Sequence, residues 1–346
     1  MAERKQAINI DMNTGTHNDF YKWGWDDGWF NAPPNIDSTF KVTFKSPQNT
    51  RTLREELVDA CHLVANRFSK PLMVCFSGGL DSQIVCLALL EAQIPFTPFI
   101  MSWKAPDGHV INGDDVKYAM EFCQRHGLIP LTDSGYLEEF LEAKGRDSAR
   151  ISRIPYYRML TQTHYADKFK DQYALLICAG NPNFDVRDGE LMISAPTSTI
   201  QQYFIDNDVQ GSAQFLKYTP ELFCSQVLNP ITKSFVGSFP SLYSVYEENS
   251  KTPWWSWRLF TSYIKPLIYQ ACWEDGLIHR SKRHGFETYD DTFWKAEIHR
   301  IGSESFGHRD NEVRLKIGDF MAFAESKSPL HQIWYADGRV LHEPVI

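Results

Sequence analysis

The sequence predicts an α/β protein, a parallel sheet covered by helices on both faces, with shorter N- and C-terminal extensions. Three observations predict it. Apolar runs of strand length, "LMVCF", "IPFTPFIMSW" and "YALLICAG", alternate with stretches of helical periodicity. These runs lack the in–out alternation of a sheet with one wet face, so both of their faces are expected to be buried. The first run leaves through Ser77-Gly78-Gly79-Leu80-Asp81-Ser82 straight into an apolar helix. A chain of 346 residues has room for a large core or for two domains.

Taken in order, residues 1–50 form an aromatic-rich N-terminal extension in which "YKWGWDDGWFNAPP" holds too much Gly, Asp and Pro for a long helix. "TFKVTFKS" alternates as a strand does. Residues 51–275 form the main domain. Its first helix, Leu53 to Phe68, puts Leu53, Leu57, Ala60, Val64 and Phe68 on one stripe. The second strand is expected to end near Met101-Ser102. Asp114 or Asp115 is expected to cap a helix with Val116, Ala119, Met120 and Cys123 inward. "LIPLT" reads as a strand, Leu137 to Ala143 as helix, and Arg153 to Phe169 as a helix opened by Pro155. Further helices are expected at Pro220–Val227 and Arg258–Trp273. Residues 276–346 form a mixed C-terminal extension, strand-like from Lys316 onward, with a hairpin turn at Asp337-Gly338.

Composition excludes several classes. Apolar residues make up 43% and charged residues 23%, an ordinary globular balance. The net charge of −8 gives no bulk attraction to nucleic acid. No apolar run reaches the ~20 residues of a membrane span. "MAERKQAINIDMNTGTHNDF" is too polar for a signal peptide, and seven scattered cysteines suit a reducing compartment, so a cytoplasmic location is expected. With no Cys-x-x-Cys pair, a structural zinc site is not expected.

In parallel sheets ligands sit beyond the carboxyl ends of the strands. Three loops converge there: Ser77–Ser82, Met101–Lys104 and Gly180–Asp188. Adjacent Gly78 and Gly79 let the backbone turn tightly, and Asp81 and Ser82 fall at a helix N-terminus, where unpaired N–H groups favour an anion. Helix capping alone explains an acid at this place, but not the paired glycines.

The stretch "VCFSGGLDSQIVCLALL" resembles the PP-loop of the N-type ATP pyrophosphatases, in the adenine nucleotide α-hydrolase superfamily. It is nearest to the synthetase domain of asparagine synthetase. "LREELVDACHLVANRF" before the loop, "DDVKYAMEFCQRHGL" after the second strand, and a lysine in "TSYIKPLIYQ" are similar to that family as well. The resemblance implies a Rossmann-like sheet and cleavage of ATP between the α and β phosphates. An AMP-forming ligase of this type adenylates a small acceptor at a carboxylate or carbonyl oxygen before attack by ammonia or an amine. It further implies that the N–H groups of Gly78, Gly79 and Leu80 and the Ser77 and Ser82 hydroxyls cradle pyrophosphate. Asp81 would hold Mg²⁺, Lys265 would add positive charge, and Met101 and Ser102 would contact adenine or ribose.

The third motif of the family is not preserved: "ICAGNPNFDVRDGE" keeps a glycine after the strand, with Gly180 and Asn181, and then Asp185 and Asp188, as replacements. The family's glutaminase nucleophile would follow the initiator Met, where Ala2 stands, so ammonia is expected from solution or from a separate subunit. Arg280, Lys282 and Arg283 are candidates for an acidic acceptor, a solvated loop being the commoner meaning of such a run. "WWSW" (residues 254–257) reads as a stacking platform or as core. PAPS-reductase-like and nucleobase- or tRNA-modifying relatives lack support, since the Glu-Cys-Gly motif and clustered cysteines are absent. A non-catalytic adenine-nucleotide sensor is the remaining alternative.

Overall fold

The chain opens with two antiparallel strands, β1 (Tyr21–Trp25) and β2 (Thr39–Phe44), in the aromatic lead and the alternating run. The computed structural model describes residues 21–25, 39–152, 157–187, 189–196, 199–249, 264–278, 286, 293–306, 312–326, 330–335 and 340–341. Helix α1 (Leu53–Arg67) starts at a capping box: the Glu55 N–H donates to the Thr52 hydroxyl and the Thr52 N–H donates to the Glu55 carboxylate. Its buried stripe holds Leu53, Leu57, Ala60 and Val64, as the spacing predicts.

Next come β3 (Leu72–Cys75), α2 (Leu80–Glu91), β4 (Phe96–Lys104), α3 (Gly113–Arg125) and β5 (Leu131–Tyr136). A helical stretch follows, α4 (Leu137–Phe140), a wider turn over Leu141–Gly145, and α5 (Arg146–Ser152). Then come α6 (Tyr157–Phe169), β6 (Ala174–Ile177), β7 (Asn183–Arg187), β8 (Glu190–Pro196), α7 (Thr199–Asp206), the two-residue β9 (Gly211–Ser212), α8 (Pro220–Val227) and α9 (Pro230–Asn249). The chain ends with α10 (Lys265–Cys272), α11 (Phe293–Phe306), β10 (Glu312–Lys316), α12 (Ile317–Ser326), β11 (Leu330–Tyr335) and β12 (Val340–Leu341).

The central sheet has the order β5-β4-β3-β6-β9, and every pair in it is parallel. Successive strand residues point to opposite faces. Val74 and Leu176 therefore join a core under α1, α2, α3 and α8, while Met73 and Leu175 join a second core against α4, α5 and α6. Helix α2 is apolar all round because it is enclosed: every residue from Ser82 to Leu89 is buried. From β3 the chain builds outward to β4 and β5, then crosses back to place β6 and β9 on the other side of β3. The order reverses between β3 and β6, and the crevice at such a reversal is where α/β sheets bind ligands.

Several boundaries differ from expectation. Strand β4 runs past Met101-Ser102 to Lys104, because the chain folds back and Ile111 N–H donates to Trp103 O at 2.7 Å. The cap of α3 is Asn112 rather than Asp114 or Asp115, and its amide is spent on β4 instead of the helix. The tail is not strand-like throughout: Ile317, Phe320 and Ala324 form the buried face of α12, a 3–4 spacing that belongs to a helix. Two antiparallel sheets complete the fold, β10-β8-β7 and β1-β2-β11-β12. In the second, β2 pairs with β11, so the two terminal extensions meet in one sheet. Residues 153–156, the tryptophan cluster at 254–257, residues 258–263 and the Asp337-Gly338 turn lie outside the described residues.

Candidate functional site

The loop after β3 is shaped by its glycines and closed by its serines. Gly78 has φ +69°, in the left-handed region, and a Cβ there would lie 2.5 Å from Ala119 N and 2.8 Å from Asp115 O. Gly78 is thus required by close approach to the first turns of α3 as well as by its own conformation. Gly79 caps α2, putting Leu80 and Asp81 in its first turn. The Gly79 N–H donates to Ser77 Oγ (3.3 Å), Ser82 Oγ donates to Gly79 O (2.9 Å), and the two hydroxyls are 3.5 Å apart. The loop is preformed, with two hydroxyls and a helix N-terminus at one end of β3, an arrangement suited to an anion.

The neighbouring α10 grips this loop from the C-terminal part of the chain. Lys265 Nζ donates to Asp81 Oδ2 at 2.8 Å, and Tyr269 Oη donates to Asp81 Oδ1 at 3.0 Å. Burial, followed by the adjacent Asp81 carboxylate, holds the Tyr269 phenol well above its ordinary pKa, so it stays a donor. Beside it, the fully buried Gln83 amide donates to Gly78 O (2.8 Å) and Ile278 O (3.1 Å) and accepts from Ile278 N–H (2.7 Å). The ion pair of Asp81 with Lys265 is a feature of the structure, not of the sequence reading, which expected Mg²⁺ on Asp81 and a separate charge from Lys265.

A cavity of about 200 Å³ opens at the reversal of strand order. Ser77 and Ser82 mark its loop end, and Phe76, Phe99, Met101, Val116 and Phe286 are among its apolar walls. Its polar side chains include Asn112, Asp115, Thr161, Gln162 and Tyr165. Most of these are spent internally. Asn112 bonds Trp103 N–H (2.7 Å) and Met101 O (2.8 Å), the Thr161 hydroxyl donates to Arg158 O (2.7 Å), and Tyr165 Oη accepts from Trp103 Nε1 (2.9 Å). The Gln162 side chain makes no hydrogen bond among the described residues, so its amide keeps both donor and acceptor capacity at the cavity wall. Cys75 and Cys178 also line it, and burial pushes both thiols up, Cys75 to about 12, so they present neutral S–H groups.

The expected site residues divide accordingly. Ser77, Ser82 and Met101 line the cavity; Gly78, Gly79 and Leu80 form the loop and helix start behind it. Asp81, Lys265 and Ser102 are not in the lining. Ser102 follows Met101 within a strand, so it points to the other face. Gly180 has φ +100° and packs against Lys217 and Gln214, where a Cβ would come within 2.8 Å of Lys217 Cγ. Gly180 and Asn181 stand just beyond Ala179, which does line the cavity. Arg280, Lys282, Arg283 and Asp188 lie outside the described residues, as does the Asp185 side chain. Sequence reasoning missed Gln83, Asn112, Thr161, Gln162, Tyr165, Tyr269 and Phe286. It weighed Asp115 only as a cap, whereas Asp115 is buried against the cavity.

As a Mg²⁺ site the arrangement does not fit. Both oxygens of Asp81 are engaged by protein donors, one of them a cation. Among the described residues no group of three or more His, Cys, Asp or Glu side chains could hold a metal by itself, so a Mg²⁺ ion would have to take most of its oxygen ligands from water and substrate phosphates. No helix of the described residues is long and apolar enough to cross a membrane.

No family model and no curated protein matches the chain. Similar solved structures include the NMN synthetase from Francisella tularensis, at 16% identity, over 72% of this chain and 94% of that one, with a TM-score of 0.29. Another is the NH3-dependent NAD synthetase from Campylobacter jejuni subsp. jejuni NCTC 11168 in complex with the nitrate ion, at 13% identity, over 67% and 97%, with a TM-score of 0.27. The α/β class itself rests on the five parallel strands and the helices on both of their faces.

Proposed function

We propose that this chain is an ATP-using ligase of the PP-loop, asparagine-synthetase-like type, with the nucleotide's phosphates at Ser77–Ser82 and its base toward the cavity. The observation that carries the reading is the preformed Ser-Gly-Gly-x-Asp-Ser turn, set at the N-terminus of a buried helix beside a cavity at the strand-order reversal. The loop is Ser-Gly-Gly-x-Asp-Ser and not the longer, lysine-bearing Gly-x-x-x-x-Gly-Lys-Ser/Thr loop, which favours departure of pyrophosphate over transfer of the γ-phosphate.

In this reading a carboxylate or carbonyl oxygen of the acceptor attacks the α-phosphorus. The bond from that phosphorus to the α–β bridging oxygen breaks, and pyrophosphate leaves with the electron pair. The Ser77 hydroxyl and the first-turn N–H groups of α2 stabilise the charge on the leaving group, and the Ser82 hydroxyl joins them by giving up its bond to Gly79 O. Ammonia or an amine then attacks the activated carbon, the carbon–oxygen bond to AMP breaks, and the nitrogen loses a proton to solvent. Met101 borders the space for the nucleotide, and Gly180 and Asn181 stand at its edge beside Ala179. Lys265 contributes to the reaction through Asp81, and no step is routed through a metal on that carboxylate.

The acceptor is a small molecule with an acidic group, met by Arg280, Lys282 and Arg283. The described residues that bracket this stretch support that assignment: Ile278 is bonded to Gln83 beside the loop, and Phe286 lines the cavity. The nucleophile is ammonia or an amine. The test is ATP labelled at the γ-phosphate, turned over with candidate carboxylates and ammonia. Labelled pyrophosphate with AMP is expected; labelled orthophosphate with ADP would overturn the reading. Arg283→Glu should raise KM for the acceptor more than for ATP.

A further inference from the structure

The carboxylate of Asp81 lies between two donors from one helix, at 2.8 Å and 3.0 Å, and does not line the cavity that Ser77 and Ser82 border. Lys265 is nearly buried, its side chain 8% exposed, while that of Asp81 is 25% exposed. A lysine held out of water needs a counter-charge, and the Asp81 carboxylate at 2.8 Å supplies it. Tyr269 is fully buried, and its hydroxyl is satisfied by the same carboxylate.

The surrounding contacts form a continuous seam. Arg54 donates to Cys272 O (3.1 Å), and Trp273 Nε1 donates to Glu91 (3.0 Å). Arg125 donates to Leu277 O (3.2 Å), and a His126 ring nitrogen donates to Gly276 O (2.8 Å). Together with the Gln83–Ile278 pairing, they tie residues 265–278 to α1, α2 and α3. The contact of Asp81 with Lys265 and Tyr269 is the charged end of this seam.

We propose that Asp81 is a positioning residue, the anchor that locks α10 onto the first turn of α2. Lys265 is its resident cation, standing where a divalent metal would otherwise have to bind. A divalent ion used in turnover then arrives on the oxygens of the polyphosphate and does not bind the nucleotide-free chain at Asp81. This assignment stands apart from the proposed reaction, because it concerns the full-length chain with no substrate present.

The experiment compares wild type, Asp81→Asn, Lys265→Met, the double variant and Tyr269→Phe by denaturant unfolding in EDTA. Mn²⁺ is then titrated into the nucleotide-free chains and followed by electron paramagnetic resonance. An anchor makes Asp81→Asn destabilising without metal, raising the unfolding constant roughly tenfold or more, because the Lys265 ammonium is left without its counter-ion. Tyr269→Phe should destabilise in the same direction. The double variant should be more stable than the sum of the single losses predicts, since each single change strands the other's partner. Wild type should show no bound Mn²⁺ that Asp81→Asn removes. A metal ligand would behave oppositely. Asp81→Asn would then be neutral or stabilising in EDTA, and submillimolar Mn²⁺ binding would disappear with it; either result overturns the assignment. If Asp81→Asn does not fold, Lys265→Met and Tyr269→Phe carry the stability arm, and full stability in both would overturn it.

Discussion

At the scale of single residues, Gly78 and Gln162 make separable demands. Gly78→Ala adds a Cβ 2.5 Å from a backbone nitrogen at a φ of +69°. The left-handed conformation alone costs about 1–2 kcal/mol, and neither the loop nor α3 can yield by altering one side chain. A clear fall in melting temperature is expected, with loss of nucleotide binding, both measurable on purified protein. Gln162→Leu removes an amide that spends nothing on the protein, so its melting temperature should stay close to wild type. Nucleotide affinity should fall by the worth of a hydrogen bond, about 0.5–1.5 kcal/mol, read by calorimetry. Unchanged affinity would place the base away from α6. Gly78 was legible from the sequence, because paired glycines between a strand and a helix are a local signal. Gln162 was not: a glutamine on a helix becomes a lining residue only when that helix packs beside the carboxyl ends of β3 and β6, which is long-range information.

At the scale of elements, β4 shows how one side chain sets a boundary. Asn112 bridges Trp103 N–H and Met101 O, extending the strand past Ser102 and satisfying backbone groups at the end of the strand. Helix α6 carries an acid-sensitive contact at the same sheet face. His164 packs against Trp103 and Phe140, and burial, then Lys168 and Lys144, depress its pKa despite Asp133 and Asp167. The unfolded chain then binds this proton more readily than the folded one. Its contribution to stability is therefore complete above the ordinary histidine value of 6.5 and declines as pH falls from there toward the depressed one. The loss approaches at most about 1.4 kcal/mol per pH unit. His164→Phe should flatten this part of the curve when denaturant unfolding is repeated between about pH 7.5 and pH 5, and an unchanged slope would assign the acid sensitivity to other groups.

At the scale of the whole molecule, the inner strands β3, β4 and β6 of the central sheet were legible, whereas its edge strand β9, the bounds of its edge strand β5 and the pairing of the peripheral sheets were not, for one physical reason. Strands β3 and β6 are paired on both sides and buried on both faces, so their sequences must be apolar throughout, and that pattern is local. Strands β2 and β11 owe their pairing to partners almost 300 residues away, Thr43 opposite His331 and Lys41 opposite Ile333, and no window of sequence contains both. The architecture predicts two units of different resistance to opening. Backbone amides of Leu72–Cys75 and Ala174–Ile177 lie in a core that cannot open without separating α1, α2 and α6 from the sheet. They should exchange with deuterated water only through near-global unfolding. Amides of Thr39–Phe44 and Leu330–Tyr335 share one hydrogen-bonded ladder, which can open while the parallel sheet stays closed. Mass-resolved exchange on the intact chain should therefore show peptides over 39–44 and 330–335 slowing and speeding together as denaturant is raised, well before the central strands respond. Independent rates for those two peptides would mean that the ends of the chain do not form one sheet in solution. Exchange in step with β3 and β6 would mean that the terminal sheet belongs to the same cooperative unit as the central sheet.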